Sequence, residues 1–108
     1  MNGSDSTPAS VLHKAAQISF TPDGNLYCEG AWTLQHLVDL ERQIASLPKT
    51  FAGPVRCDAG AVDAMDTGGA WLLQRTLHRY ERDGAIITLN GLSADFAALM
   101  QTVGRSWS

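Results

Sequence analysis

Three sets of residues in this 108-residue chain are of types that could do chemistry. The first is the acids Asp58, Asp63 and Asp66, near the end of a strand-like run. Carboxylates at such a place can bind Mg²⁺ or accept a phosphoryl group. A phosphoryl-accepting site also needs an acid pair after the first strand and a lysine after a later one. Lys14 and Lys49 are the only lysines, and neither is placed for that. Asp58 and Asp63 therefore read as residues that cap loops. The second set is His13, His36 and His78, none of which has a serine, cysteine or acid at a recognisable catalytic spacing. They read as solvated side chains. The third is Cys28 and Cys57, each in its own strand-like run, with no CxxC or paired histidine nearby. They read as buried, reduced thiols, bridged only if the two strands are neighbours of suitable geometry. HExxH, Walker A and GxGxxG patterns are absent. The expectation is a non-enzymatic domain with no catalytic residue, no cofactor and no metal.

The run Asp66-Thr67-Gly68-Gly69 is more informative. It puts small residues at the first turn of a helix, where free backbone N–H groups point outward and the macrodipole favours negative charge. A hydroxyl there is open to modification, and its phosphate would lie among those amides. A plainer reading stands beside this one. Asp66 or Thr67 is then only a cap, and the glycines allow close packing on a sheet. Trp71 adds a further hint. On a helix it shares a face with Arg75, His78 and Arg82, away from the apolar Leu72/Leu73/Thr76 face. A tryptophan on the polar side, one turn from an open helix end, suggests a contact surface. The alternative is a half-buried Trp71 at the sheet boundary.

The elements that must position this corner follow from periodicity and punctuation. Ile18-Ser19-Phe20 and Leu26-Tyr27-Cys28-Glu29-Gly30 read as a hairpin around Pro22-Asp23-Gly24-Asn25. Thr33 can cap a helix of about four turns in which Leu34, Leu37, Leu40, Ile44 and Leu47 form the apolar stripe, ended by Pro48. Pro54 to Asp58 reads as a short strand. The second helix opens at Asp66-Thr67 and stops at Asp83-Gly84. Ala85 to Leu89 is a near-continuous apolar run, the pattern of a strand covered on both faces. Ser93 caps a third helix with Phe96, Leu99, Met100 and Val103 inward and Gly104 at its C-terminal cap. The order β-β-α-β-α-β-α implies an α/β fold, a mixed sheet flanked by helices. Apolar residues make up 44% and charged residues 18%, an ordinary globular composition. The net charge is −3 with no Lys/Arg run, so nucleic acid is a poor partner. No segment has the length of a membrane span, and the N-terminus has no signal-peptide pattern.

Val62-Asp63-Ala64-Met65-Asp66-Thr67-Gly68-Gly69-Ala70-Trp71-Leu72-Leu73 resembles the signature loop of STAS domains (sulfate transporter and anti-sigma factor antagonist). In that family an Asp-Ser or Asp-Thr pair starts the second helix. Within it, this run, Leu40-Glu41-Arg42 and Leu89-Asn90-Gly91-Leu92 are most similar to one branch. That branch is the STAS-like segment N-terminal to the permease of Mla-type ABC transporters, which move phospholipid between bacterial membranes. The resemblance implies a STAS domain over 15–104, a flexible tail over 1–14, and at 105–108 a cut point before a permease domain, where Trp107 could begin a membrane-surface segment. It implies a regulatory domain at the cytoplasmic face of the inner membrane, docking an ABC ATPase subunit. Thr67 would be the central contact, Asp66 its partner or cap, and Gly68, Gly69, Trp71 and Arg75 the surroundings. The alternative is a free-standing anti-sigma factor antagonist, controlled by phosphorylation of Thr67 and paired with a kinase-type anti-sigma factor. Gly68 departs from the more usual Ser or Ala.

Overall fold

The structure, a computed structural model, describes residues 15–105. His13, Lys14, Trp107, the tail over 1–14 and most of the expected cut point at 105–108 lie outside the described residues. Four strands, β1 (Gln17–Thr21), β2 (Asn25–Trp32), β3 (Gly53–Met65) and β4 (Ala85–Asn90), alternate with three α-helices. These are α1 (Leu37–Ala45), α2 (Thr67–Arg82) and α3 (Ala94–Gly104), with a 3-10 turn at Leu34–His36 before α1. The order is the expected one. The β1–β2 hairpin closes through Gly24, whose φ of +91° suits glycine and whose N–H donates to the Thr21 carbonyl at 3.0 Å.

The sheet runs β1-β2-β3-β4, antiparallel at β1/β2 and parallel at β2/β3 and β3/β4. Alternation puts Ile18, Leu26, Cys28, Val55, Cys57 and Ala59 on the face that the helices bury. Leu40, Leu72, Leu73 and Leu77 come down onto it from α1 and α2. The opposite face, with Ser19, Tyr27, Arg56, Asp58, Ile86 and Thr88, is exposed. This corrects the expectation for β4. It is an edge strand covered on one face, and Ile86 is 69% exposed. An apolar side chain on the open face makes the run look doubly buried.

Three further expectations change. β3 has 13 residues, not the short run over 54–58. Its pairing with β2 shifts register between Tyr27 and Glu29 and again between Gly30 and Ala31. Each irregularity inserts a residue into β3 and breaks the alternation from which a strand is read. The first helix is also shorter. Residues 34–36 form the 3-10 turn, the Thr33 side chain makes no capping bond, and α1 proper ends at Ala45. Gln43, on the polar side of the sequence pattern, instead anchors α1 to the sheet. Its Oε1 accepts from the Ile18 N–H at 2.9 Å and its Nε2 donates to the Ala16 carbonyl at 2.9 Å, which satisfies backbone on the β1 edge. Finally, Gly104 is the last residue of α3 rather than a left-handed cap. A Cβ on it would meet Gln74 Nε2 at 2.7 Å, so its smallness serves the packing of α3 on α2.

Candidate functional site

The parallel strands β2 and β3 end together, with Trp32 opposite Met65, and the chain turns there into α2. Asp66 makes that turn. Its backbone is extended, its N–H donates to the Trp32 carbonyl at 3.2 Å, and its Oδ1 accepts from the Gly69 N–H at 2.9 Å. Asp66 is thus the N-cap. Its second oxygen, Oδ2, accepts from the Leu34 N–H at 2.8 Å. One carboxylate therefore fastens the 3-10 turn before α1 to the first turn of α2.

The two glycines do different work. A Cβ on Gly69 would lie 1.7 Å from the Trp32 carbonyl oxygen, so α2 can approach the sheet only with glycine at this position. A Cβ on Gly68 would meet only the tips of side chains, Leu37 Cδ1 at 3.2 Å, Asp66 Oδ1 at 3.4 Å and Leu34 Cδ1 at 3.5 Å. The plainer reading of the corner is therefore correct for Asp66 and Gly69. It does not account for Thr67, which is the first residue of α2 and is exposed. Asp66 takes up the Gly69 amide and the first helical bond takes up that of Ala70, which leaves the Thr67 and Gly68 amides at the open end without intrahelical acceptors.

Around this end lie apolar side chains that water covers. Leu34 is 70% exposed and Val38, one turn on, is 75% exposed. Neither was expected here, since Leu34 belongs to the apolar stripe by spacing. It comes two residues after β2 ends, so the stripe continues past the sheet that would bury it. Ala31, Thr33, Leu34, Gln35, His36 and Asp66 line an open depression of ≈ 510 Å³ beside the cap. On the other flank Trp71 is 40% exposed, and the Arg75 guanidinium stacks on its ring at 4.9 Å from the centroid. Arg75 Nη2 also meets Glu41 Oε1 at 3.5 Å, across from α1. Its Nε is buried without a hydrogen-bond partner, a cost that the ring contact offsets.

The acids do not converge. Asp58 to Asp63 is five residues of strand, roughly 16 Å at the usual rise. Asp58 Oδ1 accepts from the Gly60 N–H at 2.9 Å, a local cap within the irregular part of β3. Among the described residues no group of three His, Cys, Asp or Glu could hold a metal ion. The cysteines, on neighbouring strands, are free and buried, with their sulfurs 3.9 Å apart. The Cys57 sulfur and burial push the Cys28 thiol well above its ordinary range, so it stays protonated and unreactive.

What the corner gathers is a cap, two open amides, a hydroxyl and exposed apolar side chains. These are the materials of a contact surface on a small α/β interaction domain. The chain belongs to the STAS domain family: the family model described as "Mlab, STAS domain" matches residues 17–105. Such domains are in general non-enzymatic interaction and regulatory modules. No curated protein matches the chain. Among the described residues no helix is long and apolar enough to cross a membrane.

Proposed function

We propose that this STAS domain is a regulatory docking module of a lipid-transporting ABC transporter, and that it engages the ATPase subunit through the start of α2. The observation that carries this is the exposure of Leu34, Val38 and Trp71 around Thr67, on a corner that Asp66 holds rigid. Exposed apolar side chains next to a fixed polar centre are the composition of a protein interface. The likeness of the Asp66-to-Leu73 run to Mla-type permease segments supports the transporter context, as does family membership. In this reading Thr67 is the central contact, Gly68 leaves room for it, Gly69 holds α2 down, and Trp71 and Arg75 grip the flank. The domain acts at the cytoplasmic face of the inner membrane, joined to or beside the permease.

The test is capture of the purified ATPase subunit by the wild-type domain and by Thr67→Glu. The added carboxylate stands next to Asp66, so the variant is expected to lose most of the binding. Equal capture by both would remove Thr67 from the interface.

A second reading has its own support in the exposed Thr67 hydroxyl. In it the domain is an anti-sigma factor antagonist, and a kinase-type partner phosphorylates Thr67. The phosphate would bring a dianion beside the Asp66 carboxylate and compete for its amide donors. Incubation with the partner kinase and ATP, read by mass spectrometry, decides it. An unmodified Thr67 sinks this second reading.

A further inference from the structure

The surface beside the corner changes character along α2, and that change specifies a partner. At the N-terminal end α1 and α2 lie side by side. Leu37 and Leu34 bring their side-chain tips up to Gly68, and Leu34 and Val38 are both exposed there. The Arg75–Glu41 pair spans the two helices further down. Beyond it, Arg75, His78, Arg79 and Arg82 surround a shallow depression on the outer face of α2. Three of the chain's eight Lys and Arg residues stand on this stripe, although the chain as a whole carries −3. Glu41 takes up Arg75, while Arg79 and Arg82 stand exposed on the helix that begins at the apolar corner. The basic residues of the last turn also suit the helix dipole. Arg75 and His78 lie before that turn, so the dipole does not explain the stripe as a whole.

We propose that the docking segment is an amphipathic helix of a protein partner, apolar at one end and acidic at the other. This rests on the corner being a docking surface, and it adds the chemistry and direction of what docks. Apolar side chains of that helix sit over Leu34, Val38 and Gly68 and against Trp71. Its carboxylates follow the stripe to Arg79 and Arg82, both exposed. From Trp71 to Arg82 the stripe covers roughly 16 Å, about three turns of a partner helix. Trp71, Arg75, His78 and Arg82 recur at helical spacing on one face of α2, and such a ridge packs into the grooves of a partner helix. Glu41, Glu81 and Asp83 interrupt the positive charge, so the face suits a patterned protein segment rather than a lipid surface.

The experiment titrates the isotope-labelled domain with three probes, read by amide and indole NMR shifts. The first is a short helical peptide with two leucines four residues apart at one end and glutamates at helical spacing toward the other. The second has lysine in place of each glutamate. The third is vesicles of phosphatidylglycerol and phosphatidylcholine. The acidic peptide is expected to bind about tenfold tighter than the lysine peptide at low salt, with the advantage shrinking as salt rises. It should move residues 67–82 and the Trp71 indole. The double variant Arg79→Glu/Arg82→Glu, exposed at both sites and so expected to fold, should reverse the preference. Equal affinity for the two peptides, binding of neither, or binding to vesicles alone overturns the proposal. ATPase capture separates it from the docking reading. If Thr67→Glu abolishes capture and the double arginine variant leaves it unchanged, docking stands and the acidic-helix proposal falls. If the wild type captures no ATPase, the docking reading falls, and the peptide titration still decides the charge preference.

Discussion

The starts of α1 and α2 lie side by side, and the same local rule expects a cap at each. Thr33 stands before one apolar stripe and Asp66 before the other. Only Asp66 caps. Its two carboxylate oxygens reach two amides in different elements, while the Thr33 side chain makes no capping bond. α2 therefore begins at once as an α-helix held against the sheet. The chain before α1 passes through a 3-10 turn and leaves Leu34 in water. A short hydroxyl serves one helix end at best, whereas a carboxylate can serve two and tie them together. The corner thus has one end built for rigidity and one end left exposed, and a docking surface needs both.

The largest effect comes from the close approach that lets α2 start where it does. Gly69→Ala puts a methyl group 1.7 Å from a backbone carbonyl oxygen, so the strand end or the helix must move. A loss of about 3 kcal/mol in urea unfolding is expected, at the upper end of overpacking costs. Gly68→Ala meets leucine methyls at 3.2 and 3.5 Å and Asp66 Oδ1 at 3.4 Å, side-chain atoms that can shift by a few tenths of an ångström. Alanine also favours the helix, so the net change should stay within about 1 kcal/mol. Equal losses in the two variants would mean that α2 does not sit on Trp32 as described.

The next effect tests the caps against each other. Asp66→Ala removes the acceptor for both Gly69 and Leu34 and should cost about 2 kcal/mol, the sum of a good N-cap and a second amide bond. Thr33→Ala should change stability by less than about 0.5 kcal/mol, since its side chain caps nothing. Asp66→Asn keeps one acceptor oxygen and should fall between the two. Similar losses for Asp66→Ala and Thr33→Ala would erase the contrast between the helix starts.

Much of this arrangement is legible in the sequence, for reasons that also mark where reading stops. Pro22-Asp23-Gly24-Asn25, Pro48 and Asp83-Gly84 punctuate the chain with residues whose backbone preferences are local, so the element order follows. The far half of β3 does not, because its irregular pairing with β2 destroys the period at Gly60-Ala61. Ile86 misleads because an apolar residue reports what a strand can bury, not what covers it. The cap at Asp66 is local and readable. Its second bond, to a residue 32 positions away, is tertiary and leaves no local trace. Leu34 fails for the same reason, since its spacing is helical and only the position of the sheet's end decides its exposure.

The smallest expected effect on stability is the most telling for function. Leu34 is 70% exposed, so Leu34→Ser should shift the unfolding free energy by less than about 0.5 kcal/mol. A leucine retained in water at the rim of a rigid corner contributes when something covers it. Covering it fully is worth about 2 kcal/mol, and partial cover gives about tenfold in the dissociation constant for the ATPase subunit. The variant should therefore melt like the wild type and bind less well. A lowered melting temperature with unchanged binding would place Leu34 in the core's service. The exposed end would then lose its meaning, and the corner would reduce to the cap that Asp66 alone provides.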